Sequence, residues 1–185
     1  IISVFTGSQM EDVLKKFKKS GLTKDTTRSE KKMLDLNIPK IPSIELDATD
    51  RNRTSPFPFT GNKFEFRAVG SSANCAYALT VLNTIVANQL IEFKTAVDSL
   101  VSKLKIDREE AIVSVLKKYL NEADNIIFNG NGYSDEWEKE AKKRGLSNNK
   151  QTPEALKAYI SDKSVKLFES HKIFNKREVH ARYEV

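Results

Sequence analysis

Glu65 and Arg67 stand two residues apart in Phe64-Glu65-Phe66-Arg67, a run that alternates apolar and charged side chains. On a strand this period sends both charged groups to one face and both phenyl rings to the other. A carboxylate held beside a guanidinium over an aromatic floor suits a hard metal ion next to an anionic substrate. Taken alone, the four residues describe a surface ion pair on a half-buried strand better. The flanking residues shift that balance. Arg51, Arg53 and Lys63 add positive charge within one short segment, and Pro56, Pro58 and Gly61 stiffen and turn the backbone between them. The segment reads as a rigid loop that feeds a strand and presents cations along its length, a setting that suits phosphate.

The elements that must position this loop can be read from apolar spacing. Ile1–Phe5 is a short apolar run with strand character, and Gly7-Ser8 leads into a helix over Met10–Lys19, where Val13, Leu14 and Phe17 recur at helical spacing. Ser20–Asp35 is polar and without period, and reads as a loop or insertion near the site. Ile38-Pro39-Lys40-Ile41-Pro42 must run extended. After Gly70-Ser71-Ser72 a long helix is expected from about Ala76. Its Val86, Leu90, Phe93, Val97, Leu100 and Leu104 follow steps of four, three, four, three and four, a heptad-like seam that calls for a partner helix. Asp107-Arg108-Glu109-Glu110 has the form of a capping box opening that partner, with Ile112, Leu116, Tyr119, Ala123 and Ile126 as the facing stripe of an antiparallel hairpin. Asn129-Gly130-Asn131-Gly132 lacks the lysine of a phosphate loop and reads as a turn. Ser134 caps a following helix that Gly145 stops, Pro153 opens another, and Asn175-Lys176-Arg177-Glu178 resembles a last capping box.

Composition bounds the function classes. The 185 residues are 39% hydrophobic and 30% charged, as in an ordinary soluble protein. No uncharged apolar stretch reaches about 18 residues, so no membrane partner is expected. The single cysteine, Cys75, rules out an internal disulfide and points to a reducing, cytoplasmic setting. His171 and His180 are nine apart without cysteine partners, which is not a zinc spacing. The net charge of +6 raises a nucleic-acid reading. Only Lys15-Lys16-Phe17-Lys18-Lys19 is densely basic, and elsewhere both signs alternate as on solvated helix faces, so no nucleic-acid partner is expected.

Asn52-Arg53-Thr54-Ser55-Pro56 followed by Gly61-Asn62-Lys63-Phe64-Glu65-Phe66-Arg67 closely resembles the glutamine synthetases of the type III form. Gly70-Ser71-Ser72-Ala73-Asn74, Val81–Ala87, Phe128–Trp137, Thr152–Leu156 and His180–Glu184 are similar to the same family. The resemblance is dense from about Asp50 onward. It implies an α+β fold, the carboxy-terminal part of a catalytic domain. This part would be mostly helical, with a short active-site strand at Phe64–Arg67 and a long helical hairpin after it. Residues 1–70 would belong to the catalytic sheet and its loops and 71–185 to a helical region. The chain begins without methionine in an apolar run, and the resemblance puts most of the family's metal carboxylates and its ammonia site upstream. The isolated chain is therefore expected to be incomplete and inactive.

The resemblance also implies chemistry. ATP phosphorylates the γ-carboxylate of L-glutamate, and ammonia displaces phosphate from γ-glutamyl phosphate to give L-glutamine. Glu65 falls where the family has a ligand of the metal, Mg2+ or Mn2+, that bridges the nucleotide phosphates. Arg67 falls near the γ-carboxyl and the transferring phosphoryl group. Arg53 falls on the ATP phosphates, and Lys63 at a basic nucleotide contact. Pro58 departs from the commoner bacterial forms, which carry a second arginine there; its phosphate contact is either lost, supplied by Lys63 or Arg51, or supplied from elsewhere, and is left unassigned. Self-association into rings, as a dodecamer, is implied for the intact enzyme. The alternatives are another carboxylate–amine ligase of the superfamily or a non-catalytic basic helical interaction module. The strand with Glu65 and Arg67 is expected to lack sheet neighbours within these 185 residues and so to be displaced or disordered.

Overall fold

The computed structural model describes residues 1–21, 55–68 and 70–185, together with the backbone of 33–34 and 44–45. The chain is mostly helical with very small sheets. Two units separate, each discontinuous in sequence. One comprises Ile1–Ala68 and Val113–Ser147, the other Val69–Ile112 and Asn148–Val185. The Ser20–Asp35 loop lies largely outside the described residues, and the extended run 38–42 wholly so. Strands β2 (Met33–Leu34) and β3 (Ile44–Glu45) pair antiparallel.

In the first unit β1 (Val4–Phe5) is the central strand and leads through Thr6 into helix α1 (Gly7–Ser20). β4 (Phe57–Pro58) lies parallel to β1, with Val4 opposite Phe57 and Phe5 opposite Pro58. On the other side of β1, the Val4 N–H donates to the Ile126 carbonyl at 2.8 Å and the Phe128 N–H to the Val4 carbonyl at 2.9 Å. Ser55 ties the loop to the strand: its hydroxyl donates to the Ser3 carbonyl and accepts from the Phe57 N–H at 3.1 Å. These bonds satisfy backbone groups that a lone pair of strands would leave open. The expectation that the site segment lacks sheet neighbours is therefore corrected: β1 and β4 supply them from within the chain.

Helix α4 (Asp135–Lys143) starts where Ser134 accepts from the Trp137 N–H at 3.2 Å. It ends as expected at Gly145, with the Leu146 N–H returning to the Ala141 carbonyl at 2.9 Å. Its Trp137 is buried and stacks on Phe128, ring centroids 3.8 Å apart. Gly130 must be glycine here, because a Cβ would fall 2.6 Å from the Phe128 ring.

Helix α2 (Ala76–Leu104) begins where the sequence predicts, and the short link 105–107 leads to α3 (Arg108–Glu122). Asp107 caps α3, accepting from the Glu109 N–H at 2.9 Å. The seam differs from expectation. Val97 is buried, but Val86, Leu90 and Leu104 are 51%, 62% and 62% exposed. On α3 the buried positions are Ala111 and Val115, each one residue before an expected stripe position. Within the second unit, α2 packs on α6 (Asp162–Ser170) through a different face. Tyr77 stands edge-on to Tyr159, Val81 meets the core of Val165, Phe168 and Val179, Thr84 is buried, and Asn88 bonds His171 at 3.1 Å. Thr84 is tolerated there because its hydroxyl donates to the Thr80 carbonyl at 2.7 Å. Two threonine-or-asparagine positions in this face hide it from a purely apolar period.

Helix α5 (Thr152–Leu156) opens at Pro153, and α7 (Lys176–Glu184) opens on the full Asn175–Glu178 capping box. The box links two helices whose apolar sides meet at Phe168, Phe174 and Val179.

Candidate active site

Two prolines decide the form of the Phe64–Arg67 segment. Thr60 and Lys63 close a two-residue turn, the Thr60 N–H donating to the Lys63 carbonyl at 2.8 Å. Gly61 opens the turn at φ 94°, a left-handed conformation that favours glycine. Beyond the turn Phe64 bridges Phe59 antiparallel, the Glu65 N–H donates to the Pro58 carbonyl at 2.9 Å, and the Arg67 N–H to the Pro56 carbonyl at 2.8 Å. Pro56 and Pro58 have no N–H to return. The ladder is one-sided, so the regular strand is Phe57–Pro58. The expected strand at Phe64–Arg67 is instead an extended segment hydrogen-bonded along its edge.

This pairing sorts the side chains. Phe57, Phe59 and Phe64 gather, with Phe57 and Phe64 stacked at 5.4 Å and Phe59 and Phe64 tilted at 5.2 Å. Lys63, Glu65 and Arg67 alternate on the other side. Glu65 sits between the two cations. Its Oε1 lies 3.1 Å from the Lys63 ammonium and accepts from the Thr60 hydroxyl at 3.3 Å. Its Oε2 accepts from Arg67 Nε at 3.3 Å and Nη2 at 3.1 Å. The Lys63 bond first, and the Arg67 bonds second, hold the Glu65 carboxyl below the usual carboxylate range. It is ionised at neutral pH and half-buried, reachable from solvent.

The structure thus brings three of the four site residues read from sequence, Lys63, Glu65 and Arg67, onto one short hairpin. Arg53 lies outside the described residues. Pro58 is buried directly opposite Glu65 in the hairpin. Thr60 is a site residue that sequence reading missed. A hydroxyl at the first position of a Gly61-containing turn was the available signal, since that turn aims it back toward Glu65. Among the described residues no three His, Cys, Asp or Glu side chains stand together as a metal cluster. An ionised carboxylate open to solvent fits one oxygen ligand of a hard cation.

Residues 111–185 match the glutamine synthetase C-terminal domain family. Over all 185 residues the chain is 48% identical to a glutamine synthetase of Bacteroides fragilis, covering 25% of that protein. Over its whole length the chain is similar to glutamine synthetases. It is also 39% identical to the type-3 glutamine synthetase of Dictyostelium discoideum, over the whole chain and 24% of that protein. A Butyrivibrio fibrisolvens glutamine synthetase is 39% identical over the whole chain and 25% of its own length. The chain thus spans about a quarter of the length of these curated relatives. The type III resemblance noted on Asn52–Arg67 agrees with the Dictyostelium relative. No described helix is long and apolar enough to cross a membrane.

Proposed function

We propose that this chain is part of an enzyme that joins ammonia to L-glutamate, consuming ATP and forming L-glutamine through γ-glutamyl phosphate. The observation that carries the reading is Glu65 held between Lys63 and Arg67 on one hairpin edge, in a chain similar to this family. Phosphoryl transfer from ATP to a carboxylate gathers negative charge, and cations placed in advance stabilise it without reorganising. Arg67 presents a planar fork, suited to two oxygens of a carboxyl or phosphoryl group. Lys63 presents a mobile point charge, suited to a nucleotide phosphate, and Arg53 has the same proposed role. Glu65 would hold Mg2+ or Mn2+, which when bound neutralises phosphate charge. One carboxylate is too few for such a site, so the remaining ligands would come from residues beyond this hairpin.

In this reading residues 1–70 carry the catalytic sheet and loops, and 71–185 the helical part. Assembly into a ring, as a dodecamer, and a cytoplasmic location belong to the same proposal. The alternative amines of related ligases remain distinguishable by experiment. Phosphate release by the full-length protein with ATP and Mg2+ should require both glutamate and ammonia. Release that needs another amine in place of ammonia would replace the reading with that of a related ligase. Absence of nucleotide binding would favour an interaction module.

A further inference from the structure

Both oxygens of Glu65 are already engaged. Arg67 reaches Oε2 through two nitrogens of a rigid plane, and its side chain is 30% exposed. Lys63 reaches Oε1 at 3.1 Å through one ammonium on a flexible stem, and its side chain is 60% exposed. A divalent cation binding Oε1 would meet the ammonium at close range and be repelled by it. The group that must yield is the one with a single contact and the greater freedom. Exposed single-point lysine pairs are marginal, whereas a two-bond arginine fork is better organised.

We infer that Lys63 is an exchangeable counterion for Glu65, a positioning residue that holds the carboxylate while metal is absent and releases it when metal enters. The inference rests on the reading of Glu65 as a metal ligand. Thr60 keeps the carboxylate oriented during the exchange, because its hydroxyl bonds the same Oε1 at 3.3 Å without carrying charge. Once released, the Lys63 ammonium stays two residues from Glu65 on the same edge, where it can turn to an anionic phosphate that arrives with the metal. The lysine thereby makes metal-free binding weaker and couples metal entry to nucleotide contact.

The test is an Mn2+ titration of the full-length enzyme without nucleotide, with free Mn2+ followed by electron paramagnetic resonance. Lys63→Met should tighten Mn2+ binding at one site on the order of two- to fivefold, the scale of an exposed ion pair. Glu65→Gln should weaken that site, and adding Lys63→Met to Glu65→Gln should then give no gain. Unchanged or weaker Mn2+ binding in Lys63→Met would overturn the exchange. So would an equal gain in the Glu65→Gln background, which would mark a general field effect. Unaltered Mn2+ binding in Glu65→Gln alone would instead remove Glu65 from the metal site, a failure of the underlying reading rather than of the exchange itself.

Discussion

Asn129 joins two segments that are far apart in sequence, and its removal should open the start of α1. Helix α1 has no cap from its own Thr6 side chain. The Asn129 side-chain carbonyl takes that role, accepting from the Thr6 N–H at 2.9 Å, the Gly7 N–H at 3.0 Å and the Thr6 hydroxyl at 3.2 Å. Its amide donates to Glu11 at 2.7 Å. Asn129→Ala orphans two backbone donors at once. Losing a cap costs about 0.5–2 kcal/mol, and a donor left unpaired in a partly buried place about 1–3 kcal/mol. Water recovers part of this at a half-buried site, so we expect about 2 kcal/mol, or roughly 30-fold in the opening equilibrium. Amide hydrogen exchange read by mass spectrometry on peptides from 1–17 should accelerate by that factor, with 148–185 unchanged. Lowering pH should act in the same direction in the unsubstituted protein. Glu11 is held below its ordinary value of 4.5 by Lys15 first and Asn129 second. Its contribution is complete above that ordinary value and is lost as pH falls through the lowered one. Unchanged exchange over 1–17 in Asn129→Ala would refute the capping argument.

Further outcomes follow from the same geometry. Arg67→Lys in the full-length enzyme should lose rate more than glutamate affinity, since one ammonium cannot replace the fork where charge builds up; full activity would make Arg67 structural only. Trp137→Ala should destabilise the first unit by about 3–5 kcal/mol, because a buried ring stacked on Phe128 leaves a cavity; denaturant midpoints would report it, and a loss under about 1 kcal/mol would contradict the packing. Leu90→Asp should leave the Tm of this 185-residue chain within about 2 °C, since the side chain is 62% exposed. A larger drop would mean that the heptad face is covered.

Local signals carried well from sequence to structure. Ser134, Pro153, Asp107 and the Asn175–Glu178 box each act within a turn of their own position, so neighbouring residues suffice to read them. The start of α2 at Ala76 is of the same kind. Facing was harder. The apolar stripe Val86–Leu104 is longer and more regular than the face α2 uses against α6, which hides Thr84 and Asn88 behind satisfied hydrogen bonds. The site was legible in its side-chain alternation but not in its backbone. Proline carbonyls accept without any N–H in return, and that turns a strand into a one-sided edge. The sequence around Asn129 describes a turn, and nothing within that segment says that Asn129 caps a helix more than a hundred residues away.

The central claim is that Glu65 holds metal for glutamine formation. Its direct test is turnover of full-length Glu65→Ala with glutamate, ammonia, ATP and Mg2+, alongside the unsubstituted enzyme. We expect loss of glutamine formation together with weakened metal-dependent ATP binding, while thermal stability stays close to that of the parent. Normal turnover at low Mg2+ would contradict it.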